Sequence, residues 1–210
     1  DDLSLNQAVR VVQHPFWSRL ALSFPTARVV YDCMDHHAGF HEEGFVHDAA
    51  ERMLMRHADL CVASAAAIEE ALAPHARSLT VIRNAGDPAH FETGVRSVAS
   101  AGKTQHVGYY GAVAEWFDLA ALRATASQFP QHQFHLVGDD TVGAEKALKD
   151  LHNLHFYGEQ PYAKLPEFLA HWDVCLIPFW RNELTRATNP VKIYEYLSAG
   201  KPVVATRLPE

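Results

Sequence analysis

Short runs of β-branched, aliphatic and aromatic residues alternate along this chain with longer stretches whose apolar positions recur every three or four residues. The short runs predict strands at Val11 to Gln13, Arg28 to Tyr31, Leu60 to Ala63 and Leu79 to Ile82. A second set follows at His106 to Tyr110, Gln133 to Val137, Leu154 to Tyr157, Val174 to Pro178 and Pro202 to Thr206. Helices are predicted between them, over Phe16 to Ser23, Val46 to Arg56, Ala65 to Ala73, Phe117 to Gln128, Gly143 to Leu151 and Tyr162 to His171, with one more after Asn189. Strand, helix, strand in this order implies parallel sheets covered by helices, an α/β fold. The pattern breaks once. Thr93 to Thr104 is small, polar and without periodicity, as expected of a linker. The expected organisation is therefore a first domain over 1–92, a linker over 93–104 and a second domain over 105–210.

Composition changes this picture little. The chain has 210 residues, 48% hydrophobic and 20% charged, as in ordinary globular proteins. A formal charge of −7 argues against a nucleic-acid partner, which needs a basic face. No apolar run is long enough to cross a bilayer. Cys33, Cys61 and Cys175 lie in or beside apolar strand-like runs, so buried reduced thiols and a cytoplasmic setting are expected.

In parallel sheets ligands gather beyond the carboxyl ends of the strands. The most informative such segment runs from Asn189 to Thr206, Asn-Pro-Val-Lys-Ile-Tyr-Glu-Tyr-Leu-Ser-Ala-Gly-Lys-Pro-Val-Val-Ala-Thr. Asn189 is expected to cap a helix, Pro190 to occupy its first turn, and Gly200 with Pro202 to end it. Lys192 falls in the turn whose free N–H groups attract anions. Glu195 follows one turn on, roughly 4.5 Å along the axis. A cation and N–H groups suit a diphosphate, and a carboxylate can accept from two sugar hydroxyls. Taken alone, the same pair also fits a surface Lys–Glu pair on an amphipathic helix.

Four segments carry a family resemblance: His106 to Asp118 (His-Val-Gly-Tyr-Tyr-Gly-Ala-Val-Ala-Glu-Trp-Phe-Asp), Phe134 to Gly138, Asn153 to Gly158 and Asp173 to Thr206. They resemble the nucleotide-sugar-binding domain of GT-B glycosyltransferases, particularly retaining bacterial enzymes of surface-polysaccharide synthesis. The Tyr-Gly-Ala-Val-Ala-Glu-Trp-Phe-Asp form is similar to a subgroup that includes teichuronic acid glycosyltransferases. Arg83 to Phe91 resembles the run that ends the family's first domain. The resemblance implies two Rossmann-like parallel-sheet domains facing a cleft, the first one truncated here and the second incomplete at its end. It implies a donor such as a UDP- or GDP-sugar, a glycan or lipid-linked acceptor, no obligatory metal or other cofactor, and peripheral contact with the inner face of the plasma membrane if the acceptor is lipid-linked. No basic amphipathic helix in this stretch supports that contact.

On the same resemblance Glu195 holds the donor ribose. Lys192, the first turn of its helix and the backbone around Gly111 hold the phosphates. The turn at Gly158 lies near the base, Phe179 forms an apolar wall, and Trp116 and Trp180 stand at strand ends as cleft walls or sugar platforms. Two departures stand out. The family Glu eight residues before Glu195 is Ala187 here, so either Asn189 or Glu183 is expected to substitute or catalysis differs in detail. The usual basic residues after the first strand of the second domain are replaced in the neighbourhood of Ala112 and Trp116. Phosphate binding then falls to Lys192 and its helix, with Arg181 or Arg186 assisting. Two complete domains of about 150–200 residues each do not fit in this length. The chain as given is therefore expected to bind a donor weakly and to turn over little or nothing.

The other dense cluster is Asp32-Cys-Met-Asp-His-His37, at a strand end of the first domain. Asp35 can serve there as a base or orient an acceptor hydroxyl. Loop packing and, more remotely, a metal are the alternatives. Gly138-Asp139-Asp140 reads as a helix cap sooner than a Mg²⁺ site. The dinucleotide, P-loop and nucleophile-elbow fingerprints are absent. An epimerase of the same fold and an inactive sugar-nucleotide-binding module remain as rival readings.

Overall fold

The computed structural model describes residues 8–24, 27–36, 44–92 and 104–210. The described chain packs as two units, each around its own parallel sheet.

The first unit takes the chain up to Asn84, together with Asn182–Asn189 and Leu208–Glu210. Its strands are β1 (Val9–Val12), β2 (Arg28–Cys33), β3 (Leu60–Ala63) and β4 (Leu79–Val81), hydrogen-bonded in that order and all parallel. Alternate residues of β2 are buried, and β3 is buried almost throughout, as befits inner strands. A 3₁₀ turn (Pro15–Trp17) leads into α1 (Ser18–Leu22), and α2 (Gly44–His57) and α3 (Ala66–Leu72) follow. Tyr31, Leu54, Cys61, Ile68 and Leu72 form the centre of the core. The Arg10 guanidinium donates to the carbonyls of Ala21, Phe24 and Ala27, tying β1 to the turn after α1.

The second unit holds Ala85–Arg181 and Pro190–Arg207. After α4 (Pro88–Glu92) come β5 (His106–Tyr110), α5 (Leu119–Gln128), β6 (Gln133–Val137), α6 (Ala144–Ala147), β7 (Leu154–Phe156), α7 (Leu165–His171), β8 (Val174–Ile177), α9 (Val191–Ser198) and β9 (Val203–Ala205). Between β8 and α9 the chain visits the first unit through α8 (Glu183–Arg186). The sheet order is β7-β6-β5-β8-β9, all parallel. Successive strands run outward from β5 one way and then restart on its other side. The order reverses between β5 and β8, which makes their carboxyl ends the topological switch point.

Several boundaries depart from the sequence reading, each for a local reason. α5 begins at Leu119 rather than Phe117, because Asp118 caps it through Ala121 N at 2.8 Å while Phe117 bridges to Phe179. α6 stops at Ala147, whose carbonyl is taken by Arg123. Asp140 accepts from Ala144 N and Glu145 N, so its segment caps α6, as its sequence suggested. Residues 85–92, expected with the first domain, pack in the second unit, where Phe91 is fully buried against Tyr110 and Tyr162. Of the expected linker, 93–104, residues 93–103 lie outside the described residues. All three cysteines are free and buried. No helix among the described residues is long and apolar enough to cross a membrane.

Candidate functional site

The switch point of the second unit brings several of the expected residues together. β5 ends at Tyr110, and Gly111 follows with φ +123°, a conformation a side chain would strain. Its N–H donates to Val137 O, fixing the turn against β6. After β8, Phe179 is buried and pairs across a bridge with Phe117, while Trp180 N donates to Trp116 O. Trp116 is half-buried and Trp180 more exposed. Gly158 turns the chain after β7 with φ +65°, and its carbonyl accepts from Gly138 N. The loops after β5, β6, β7 and β8 are thus linked into one rim by backbone hydrogen bonds.

Lys192 reaches into this rim. Its ammonium lies 5.1 Å from the centre of the Phe179 ring and 5.6 Å from that of Tyr109. Burial lowers its pKa to about 8, against the opposing pull of Glu195. The ammonium is therefore held between two aromatic rings at the switch point, and among the described residues no carboxylate is within ion-pair distance of it, a setting that favours an anionic ligand. α9 begins with Pro190 as its N-cap and carries no side-chain cap.

Glu195, one turn on, is only 4% exposed. It is no surface partner for Lys192. Oε2 accepts from Tyr110 OH at 2.6 Å and Oε1 from Tyr162 OH at 2.9 Å. Burial and this carboxylate both raise the phenol pKa values, that of Tyr162 to about 12. A further support is Tyr196, whose hydroxyl accepts from Tyr110 N at 3.0 Å. Gly86 passes so close that a Cβ there would lie 3.2 Å from Glu195 Cγ. The carboxylate that was to hold two sugar hydroxyls already accepts from two hydroxyls of the protein.

Sequence reasoning missed those tyrosines. Tyr110 stands inside the quoted Tyr-Tyr-Gly run, but a strand residue before a glycine turn reads as core. Tyr162 follows Gln160-Pro161 and reads as the start of a helix. Only the fold brings either one to Glu195.

Asn189 is placed differently from the expectation. It does not cap α9, because Pro190 takes that position with extended backbone. It belongs to the first unit, where Asn84 Nδ2 donates to its carbonyl at 2.6 Å and its own Nδ2 points to Glu210. Glu210 in turn accepts from Ala66 N and Arg83. Ala187 is 3% exposed within the apolar core of that unit, where a carboxylate would be stranded. Glu183 and Arg186 are exposed on α8, and Arg181 is exposed in the second unit.

Asp35 is exposed beyond β2, beside a cavity of about 190 Å³ that Cys33, His36 and Glu51 also line. Tyr31 donates to Glu51 at 2.6 Å, and burial pushes the Cys33 thiol up to about 12, so it is no nucleophile. His37 lies outside the described residues. Among those described, no three His, Cys, Asp or Glu side chains are grouped as metal ligands.

Residues 104–210 match the family model for glycosyl transferases group 1. The chain belongs to this family. Within the group 1 glycosyl transferases it is 28% identical over 106 residues to TuaH of Bacillus subtilis (strain 168), which is named as a teichuronic acid biosynthesis glycosyltransferase; the match covers 49% of this chain and 27% of TuaH. HepE of Anabaena, solved with UDP and glucose, superposes with a TM-score of 0.70 at 21% identity, over 95% of this chain and 59% of that one. Sucrose-phosphate synthase from Thermosynechococcus elongatus gives 0.68 at 17% identity, over 95% and 56%. The fold is thus GT-B, and the chain spans well under two thirds of each of these relatives.

Proposed function

We propose that the second unit binds the nucleoside diphosphate of an activated sugar at its β5/β8 switch point, and that the whole protein transfers that sugar to a glycan or lipid-linked acceptor in polysaccharide synthesis. One observation carries the reading: the buried ammonium of Lys192, held between the Tyr109 and Phe179 rings beside the Gly111 turn. Membership of the group 1 glycosyl transferases gives that cation its chemical context. HepE, with the same fold, was solved with UDP-glucose, which makes UDP the first nucleotide to test and GDP the second.

In the reaction the anomeric C–O bond to the diphosphate breaks and its electron pair passes to the phosphate oxygen. The acceptor hydroxyl oxygen bonds to the anomeric carbon and releases its proton. Lys192 and the first N–H groups of α9 stabilise the charge that develops on the leaving group, in a site built before the substrate arrives. Glu195 grips the ribose hydroxyls, the Gly158 turn borders the base, and Phe179 and Trp116 wall the site. Asp35 and Asn189 belong to the first unit and carry no assigned step in this scheme. No step in this scheme is assigned to a metal.

Isothermal titration of the protein with UDP, GDP and ADP tests the reading. Saturable binding of one of them that weakens at least tenfold in Lys192→Ala supports it. Absence of binding by all three overturns it.

A further inference from the structure

We infer that Tyr162 is an exchangeable plug: its hydroxyl occupies Glu195 Oε1 in the place of a ligand hydroxyl, and leaves when a vicinal diol enters. The inference rests on the nucleotide reading above and adds to it a residue that controls what the site admits.

The two tyrosines on Glu195 are not equivalent. Tyr110 belongs to the central strand, is 5% exposed, and has its backbone N–H tied to Tyr196. It cannot leave without opening the core. Tyr162 is 50% exposed and belongs to a short 3₁₀ turn, Tyr162–Lys164, entered through Pro161. Its ring rests on His90, with centroids 4.7 Å apart and planes 12° from parallel, and meets the edge of Phe91. One face of the ring is packed and the remainder is open to solvent, so a side-chain rotation releases the hydroxyl to water. Tyr110 therefore fixes the carboxylate, and Tyr162 covers it.

Energetics give the cover a purpose. A carboxylate buried this deeply with an unmatched oxygen costs far more than a hydrogen bond gains. Tyr162 satisfies it while the site is empty. A ligand with a cis-diol replaces one hydroxyl donor by another, and the exchange is nearly balanced. A ligand that displaces Tyr162 without offering hydroxyls strands the oxygen, and a site of this kind rejects such analogues strongly. The discrimination resides in Glu195, and Tyr162 sets what an entering ligand must displace.

Tyr162→Phe keeps the ring stack and removes only the hydroxyl. The variant and the wild type are each titrated with UDP and with 2′,3′-dideoxy-UDP, and their thermal unfolding is followed. The plug requires two effects together. Tyr162→Phe lowers the melting temperature of the free protein, because Glu195 Oε1 loses its donor. It also tightens UDP about five- to tenfold, because the ligand no longer competes with an internal hydroxyl. The dideoxy analogue tightens by the same factor, because it too no longer has to displace the hydroxyl, and it stays weaker than UDP in both proteins. Unchanged or weakened UDP binding in the variant overturns the plug, since the hydroxyl would then be structural or a ligand contact. Failure of both proteins to bind any nucleotide, with the melting shift still present, removes the nucleotide reading itself and the plug with it.

Discussion

Lys192 lies over Gly111 so closely that a Cβ on the glycine would stand 3.0 Å from the lysine Cε and 3.3 Å from its Nζ. The glycine is required twice, by its φ of +123° and by the side chain above it. Gly111→Ala is expected to destabilise the second unit by about 1–3 kcal/mol through backbone strain and to push the ammonium out of its cage. Thermal unfolding together with UDP titration checks this. A variant of wild-type stability and affinity would show that the turn adapts and that Lys192 does not depend on it.

The pKa of Lys192, lowered to about 8, gives binding a pH signature. Below pH 8 the free protein carries the ammonium, and diphosphate affinity is at its plateau. Above pH 8 binding must first recover a proton, so affinity falls as pH rises. Lys192→Arg, which stays charged throughout, should abolish this fall. The same shift has a stability consequence with a definite sign. Between pH 8 and the ordinary lysine value the unfolded chain holds more protons than the folded one, so stability rises with pH there, and at neutral pH the caged charge is a cost. Lys192→Met should accordingly raise stability at pH 7 by about 1–3 kcal/mol while abolishing binding. A less stable methionine variant would mean that the ammonium holds the fold together.

Much of the fold was legible because strand periodicity and glycine or proline punctuation are local properties. Leu60–Ala63, His106–Tyr110 and Gln133–Val137 form as read. What escaped was set by tertiary partners. Glu183–Arg186 is one turn of helix held by a capping box between Asn182 and Thr185, and its place in the first unit depends on Ala187 finding an apolar core remote in sequence. Pro88–Glu92 is only one residue longer and is anchored by Phe91. In the candidate site, the position of Lys192 in the first turn of its helix was legible from the sequence. The double tyrosine clasp on Glu195 was not, because residues 110, 162 and 195 meet only through the order of the sheet.

Asp140 is a cap, and its removal should read as one. It accepts from Val142 N, Ala144 N and Glu145 N, and these bonds hold its carboxyl below the usual carboxylate range, against the opposing effect of burial. Asp140→Ala should cost about 1–2 kcal/mol, the scale of a lost N-cap, without altering nucleotide affinity. The depressed pKa means the contribution is present above the unfolded carboxylate value and is lost as the pH falls through the folded one. A loss of nucleotide binding with stability intact would transfer Asp140 from the scaffold to the site.

Three histidines stand side by side on the second sheet, one each on β5, β6 and β7. His106 Nδ1 and His135 Nε2 are 2.9 Å apart, the other His135 nitrogen meets Tyr157 OH at 2.8 Å, and His155 bonds Gln133 at 2.7 Å. Burial, followed by the nearby His106, His155 and His171, lowers the His135 pKa to about 4. A neutral imidazole is what this row demands, since a proton on every ring would leave neighbouring cations and no acceptor between them. The folded pKa lies below the unfolded one, so the contribution is complete above about pH 6.5 and drains away as the pH falls toward 4. His135→Gln removes the titrating ring from the middle of the row. Relative to this variant, the wild type should lose roughly 1–2 kcal/mol more stability between pH 7 and pH 4.5, after discounting for partial exposure. Urea unfolding at the two pH values measures the difference in slope, which no uniform packing defect in the variant can imitate. Parallel pH dependences for the two proteins would show that the row tolerates its protons and that acid acts elsewhere.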